Sequence, residues 1–113
     1  MTESRLREFE ELVLLGVLIT APDAYGPAIQ ETLRVEAGRD VSLGAIYTAL
    51  SRLADKGLVI SEMGDPTPVR GGRRKRHYEL TASGMERVRE SRRIRNRLWD
   101  LAALEPKEGT VGS

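Results

Sequence analysis

The stretch SLGAIYTALSRLADKGLVISEM, residues 42–63, decides the fold. Ser42 stands where a helix N-cap belongs, since its side-chain oxygen can accept from a free backbone N–H of the first turn. Leu43, Ile46, Leu50 and Leu53 recur at helical spacing and mark one buried face, and Gly57 is placed to end the helix. At Leu58 the pattern changes to Leu-Val-Ile-Ser-Glu-Met, which is strand composition. The face opposite the apolar stripe carries Ser42, Ala45, Tyr47, Thr48, Ser51 and Arg52. Most of these are short, so the backbone of this helix can approach a surface closely while hydroxyls and one guanidinium make the contacts.

Upstream, two further helices are expected. Residues 5–20 contain Leu6, Phe9, Leu12, Val13, Leu15, Val17, Leu18 and Ile19, with Glu8, Glu10 and Glu11 near the start, where the helix dipole favours acids. The second half is apolar nearly all round and predicts cover on both sides, by its own domain and by a partner. Ala21-Pro22-Asp23-Ala24 stops it. Residues 25–37 begin Tyr-Gly-Pro, with Pro27 suited to a first turn, and put Ile29, Leu33 and Ala37 on one stripe before Gly38. Tyr25 is either a packing residue at the helix start or a phosphate contact.

Downstream, residues 58–63 and 73–80 read as two strands around a loop holding Pro66, Pro68, Gly71 and Gly72. The tip, Arg70-Gly-Gly-Arg-Arg-Lys-Arg76, has five cations in seven residues. A charged helix follows from Thr81 through Trp99 to about residue 104, where Glu105-Pro106 ends it, and the polar, Gly-rich end is expected to be disordered.

Helix, helix, helix, two-stranded hairpin, helix is the order of a winged helix-turn-helix. In that fold the third helix enters the DNA major groove and the hairpin reaches backbone or minor groove. The expected fold class is mainly α with a small β-hairpin: a three-helix core, a two-stranded wing and a long C-terminal dimerisation helix. The expected division is a DNA-binding domain at 1–81, the dimerisation helix at 82–104 and a disordered tail at 105–113. Base reading is expected from Ser42, Ala45, Thr48 and Ser51. Phosphate and minor-groove contacts fall to Tyr47, Arg52, Gly71, Gly72, Arg73, Arg74, Lys75 and Arg76, because a bendable loop of cations suits phosphate neutralisation. Tyr47 is expected to pack part of its ring and turn its hydroxyl toward a phosphate.

Composition narrows the alternatives. The chain has 113 residues, 40% hydrophobic and 31% charged, enough for one small core. At this size burial leaves a domain marginal alone, which favours a dimer. It has no Cys and one His, His77, which removes disulfides, thiolate chemistry and His-rich zinc sites; no metal or cofactor is expected. The net charge of +1 hides a split, with a balance of −4 over residues 1–63 and +5 over 64–113. That asymmetry points the second half at a polyanion. The longest apolar run, Leu12 to Ile19, is far shorter than the ~20 residues of a membrane helix, so a cytoplasmic protein without a membrane anchor is expected.

The chain also resembles the PadR family of bacterial transcriptional regulators over about residues 9–101. The matching pieces are Tyr25-Gly26, the block LGAIYTALSRL at 43–53, Lys56-Gly-Leu58, the wing RGGRRKRHYELT at 70–81, and Gly84. The family has a threonine before the aliphatic-tyrosine pair and often a proline after it. Here these are Ala45 and Thr48, which removes one hydroxyl from the third helix. The resemblance implies a homodimer held by the last helix with help from the first, a palindromic double-stranded DNA operator, and repression relieved by a small-molecule effector.

On the last helix, Val88, Ile94, Leu98 and Leu101 are spaced for a partner helix, and Phe9, Leu12 and Leu15 of the first helix are expected to share that dimer interface. The crowding arginines are either a solvated face flanking the seam, packed through their methylene stems, or include an effector ligand, Arg92 or Arg95, for an acidic molecule. Trp99 is either dimer core or, as in multidrug-responsive members of the family, a platform for a flat aromatic ligand. His77 is expected to be an exposed strand residue. The alternative reading is a winged helix serving as a protein interaction module, its basic hairpin on an acidic partner surface. An enzyme is the remotest reading, because one His and no Cys assemble no nucleophile and base.

Overall fold

The computed structural model describes residues 6–64 and 75–102. Its elements run α1 (Glu8–Thr20), α2 (Gly26–Ala37), α3 (Leu43–Asp55), β1 (Val59–Met63), β2 (Arg76–Leu80) and α4 (Ala82–Ala102). This is the winged helix-turn-helix order, mainly helical with a two-stranded antiparallel hairpin. Val59 lies opposite Leu80 and Met63 opposite Arg76.

The core is where the apolar stripes meet. Val13, Leu14 and Val17 of α1 pack with Ile29 and Leu33 of α2, and Ile46, Ala49, Leu50 and Leu53 of α3 close against both. Leu58, Val59 and Val88 seal the hairpin side. Full burial of each large aliphatic is worth roughly 1.5–3 kcal/mol, set against the entropy of ordering it.

Several boundaries differ from expectation. α1 begins at Glu8, because Glu10 Oε1 accepts from the Arg7 backbone N–H at 3.1 Å and closes the helix there. Ala37, expected on the buried stripe of α2, is exposed, and Leu43 is only half-buried at the first turn of α3. Leu58 precedes β1: its side chain is core, while its carbonyl accepts from Thr81 N–H at 3.0 Å. Gly57 holds φ +76°, the left-handed conformation that lets α3 turn into the strand. Residues 71–74 of the wing, 103–104 of the last helix and the tail lie outside the described residues.

The sheet has a neighbour that the sequence did not disclose. Tyr25, extended just before α2, bridges antiparallel to His77, and Tyr78 N–H donates to the Ala24 carbonyl at 3.1 Å. The wing is thereby tied to the start of α2. Thr81 fastens the next junction, donating to the Gly57 carbonyl at 2.7 Å and accepting from Gly84 N–H at 3.0 Å at the start of α4.

Candidate nucleic-acid interface

α3 presents the expected face. Ile46, Ala49, Leu50 and Leu53 are buried, whereas Thr48, Ser51 and Arg52 are exposed and Ala45 is half-buried. Ser42 Oγ accepts from Ala45 N–H at 3.0 Å. Its oxygen is occupied as the cap, which leaves the hydroxyl hydrogen to donate outward. The turn before α3 is held by Gln30, whose Nε2 donates to the Val41 carbonyl at 2.8 Å.

Tyr47 leaves the helix sideways and lies over Gly26. A Cβ added at Gly26 would come within 2.6 Å of the tyrosine Cζ and Oη, so the close approach requires glycine. The hydroxyl is thus delivered to the N-terminus of α2, where backbone N–H groups have no partner within the helix. A hydroxyl beside such amides suits a phosphate oxygen. Next along the chain, the Tyr25 ring meets Lys75, whose Nζ is 5.1 Å from the ring centroid, and His77, edge-on at 6.1 Å. His77 is half-buried, not exposed as expected, and its Nε2 stands 3.6 Å from Glu62. Arg76 donates to Ser61 Oγ at 2.9 Å across the hairpin. Lys75 and Arg76 are therefore anchored at the wing base. Gly71, Gly72, Arg73 and Arg74 lie outside the described residues.

Behind this surface sits an ion pair that sequence reasoning missed. Glu10 is 2% exposed, and its Oε1 takes Lys56 Nζ at 2.6 Å. Burial alone pushes the Glu10 carboxyl up; the Lys56 ammonium and the Arg7 backbone N–H outweigh it and hold the group below its ordinary value. The pair joins the first turn of α1 to the end of α3.

The last helix divides in two. Its first half is packed: Gly84 and Val88 are buried, so Val88, expected at a dimer interface, is taken up by its own domain. Phe9 and Leu12 likewise pack against the core of their own chain, Phe9 with the Arg39 guanidinium 5.9 Å from its ring. Glu11 then accepts from Ser91 Oγ at 2.8 Å and from Arg95 Nη2 at 2.9 Å. Beyond Arg95 every described residue is exposed, including Leu98, Trp99 and Leu101. Ile94, Arg92 and, on α1, Leu15 are exposed as well. Arg95, Leu98, Trp99 and Ala102 line a shallow cleft of about 270 Å³. Among the described residues no group of acids and histidine could hold a metal, and no helix is long and apolar enough to cross a membrane.

The profile of the transcriptional regulator PadR-like family matches residues 14–90, more than half of the chain. The chain belongs to the PadR-like family. That places it among transcriptional regulators and not enzymes. None of the curated proteins matches it. Among solved structures it is similar to a PadR-like transcription factor from Bacteroides fragilis, with 25% identity, TM-score 0.67, and 84% of this chain and 86% of that one covered. A Streptococcus transcriptional regulator is similar at 29% identity and TM-score 0.66, with 89% and 96% covered. Bacillus subtilis PadR, solved in complex with operator DNA, shares the fold at 22% identity and TM-score 0.61; 95% of this chain aligns with 55% of that one.

In this PadR-like chain the residues expected on α3 stand together on one exposed face, with Tyr47 turned toward α2. Gly26, Tyr25 and the Glu10–Lys56 pair were not singled out for the roles they take here. The Tyr-Gly-Pro start of α2 was the available signal for the first two: Pro27 in the first turn puts Tyr25 at the N-cap, and a cap residue takes the extended backbone that bridging requires. Nothing in the sequence marks Glu10 apart from Glu8 and Glu11.

Proposed function

We propose that this chain is a sequence-specific DNA-binding regulator, a cytoplasmic homodimeric repressor acting on a palindromic operator. The observation that carries the reading is one continuous surface. It runs from the exposed face of α3, through Tyr47 lying on Gly26, to Tyr25 and Lys75 at the wing base. Ser42, Ala45, Thr48 and Ser51 meet base edges, where short side chains allow close approach. Tyr47, Arg52, Lys75 and Arg76 take phosphates, and Gly71, Gly72, Arg73 and Arg74 are assigned phosphate and minor-groove contacts from their residue types alone. Two such surfaces related by a two-fold axis address half-sites ~34–36 Å apart. Ile94, Leu98 and Leu101 of α4, with Leu15 of α1, form the seam between copies. A small aromatic or acidic effector sits against Trp99, Arg95 and Arg92.

The test is an anisotropy titration on the duplex upstream of the chain's own gene beside a scrambled duplex, at fixed near-physiological salt. A preference of ~10³ or more for the natural duplex is expected. Weak, equal binding to both would sink the reading and favour a protein interaction module. Replacing Arg73 and Arg74 by Gln should weaken binding to every duplex and flatten the salt slope by roughly 1.8, about 0.9 for each phosphate no longer neutralised. An unchanged slope would remove the wing tip from the interface.

A further inference from the structure

Two consecutive carboxylates on α1 face different partners. Glu10 bonds Lys56 at the C-cap of α3 at 2.6 Å, and Glu11 bonds Ser91 and Arg95 of α4 at 2.8 and 2.9 Å. One turn of α1 therefore joins the helix that faces DNA to the helix that leaves the domain. Among the described residues Glu11 is also the last anchor on α4, since residues 96–102 are exposed throughout. Whatever fixes α4 at Ser91 and Arg95 fixes the direction in which its free half departs.

We propose that Glu11 is a positioning residue for operator selection: by holding Ser91 and Arg95 it sets the exit angle of α4, and with it the separation of two α3 helices in a dimer. This rests on the DNA-binding dimer proposed above. The leverage is large. A reading helix moves by the tilt of α4 multiplied by its own distance from the seam, and a shift of roughly 3.4 Å is already one base-pair rise. Glu11 touches no DNA in this arrangement. Its effect falls on which half-site spacing is accepted, and not on which bases are read.

The experiment starts from half-sites obtained by selecting random duplexes with the wild-type protein. These are rebuilt in pairs at spacings stepped by single base pairs around ~10–10.5 bp. Wild type should lose about tenfold or more for a one-base-pair change in spacing. Glu11→Ala should lose about threefold or less, while its affinity for a single half-site, its dimerisation by sedimentation and its helical circular dichroism stay as in wild type. Ser91→Ala, which removes one of the two bonds and cannot unfold the first turn of α1, should fall between. A Glu11→Ala protein with the full wild-type spacing penalty overturns the proposal. So does a loss of single half-site affinity matching the loss on paired sites, which would assign Glu11 to general stability. A wild type that selects no duplex at all would instead overturn the DNA-binding reading beneath it.

Discussion

Glu10 occupies the first helical turn, a position where an acid is ordinarily a solvated partner of the helix dipole, yet here it is buried against Lys56. That ammonium is the largest offset to the cost of its burial, with the Arg7 backbone N–H beside it, so removing the cation should be worse than removing both charges. Lys56→Met should destabilise the fold by about 3 kcal/mol in urea unfolding at pH 7, and adding Glu10→Leu should recover most of the loss. The pH dependence has a definite sign. The folded carboxyl titrates below its ordinary value, so the pair's contribution is complete above the unfolded pKa of ~4.3 and fades as acid takes the pH down through the lower folded value. Unfolding midpoints measured from pH 6 to pH 2 should fall more gently in the double variant than in wild type. An equal fall in both would show that the pair does not couple to folding.

At the scale of elements, α4 is docked by its glycine. A Cβ on Gly84 would collide with the Leu58 carbonyl oxygen, a backbone atom that cannot swing aside. On an exposed helix, glycine to alanine would gain up to about 1 kcal/mol; here Gly84→Ala should lose about 1–3 kcal/mol, the cost of overpacking. The sign of the change in melting temperature decides between a docked and a free first turn. Elements were largely legible beforehand, because Ile46, Leu50 and Leu53 repeat at helical spacing, Ser42 is a cap by residue type, and the Gly57 to Leu58 step marks the end of a helix. The pairings between elements were not. Arg95 was read either as part of a solvated face or as an effector ligand, and nothing in its spacing pointed to Glu11, the acid 84 residues earlier on α1 that it bonds. Val88 shares its spacing with Ile94 and Leu98, and only the tertiary fold separates the one that packs inward from those left outside. Tyr25 offers the wing an extended backbone edge, which no periodicity reports.

For the whole molecule, the exposed apolar residues Ile94, Leu98 and Leu101 follow each other at intervals of four and three on the second half of α4, the spacing of a helix-to-helix seam. Leu98→Asp should leave the chain folded, since that side chain is 59% exposed. It should move sedimentation to the monomer and abolish the concentration dependence of melting expected of wild type. A variant that still sediments as a dimer would place the seam elsewhere. The bridge between Tyr25 and His77, with its companion bond from Tyr78 to Ala24, also has a bearing on biosynthesis. These partners are about fifty residues apart, and at ~5–20 residues per second the ribosome takes several seconds to pass from one to the other. Throughout that interval the leading edge of α2 is unfastened, and from Asp55 onward the nascent chain holds three complete helices that still await the strand that ties them.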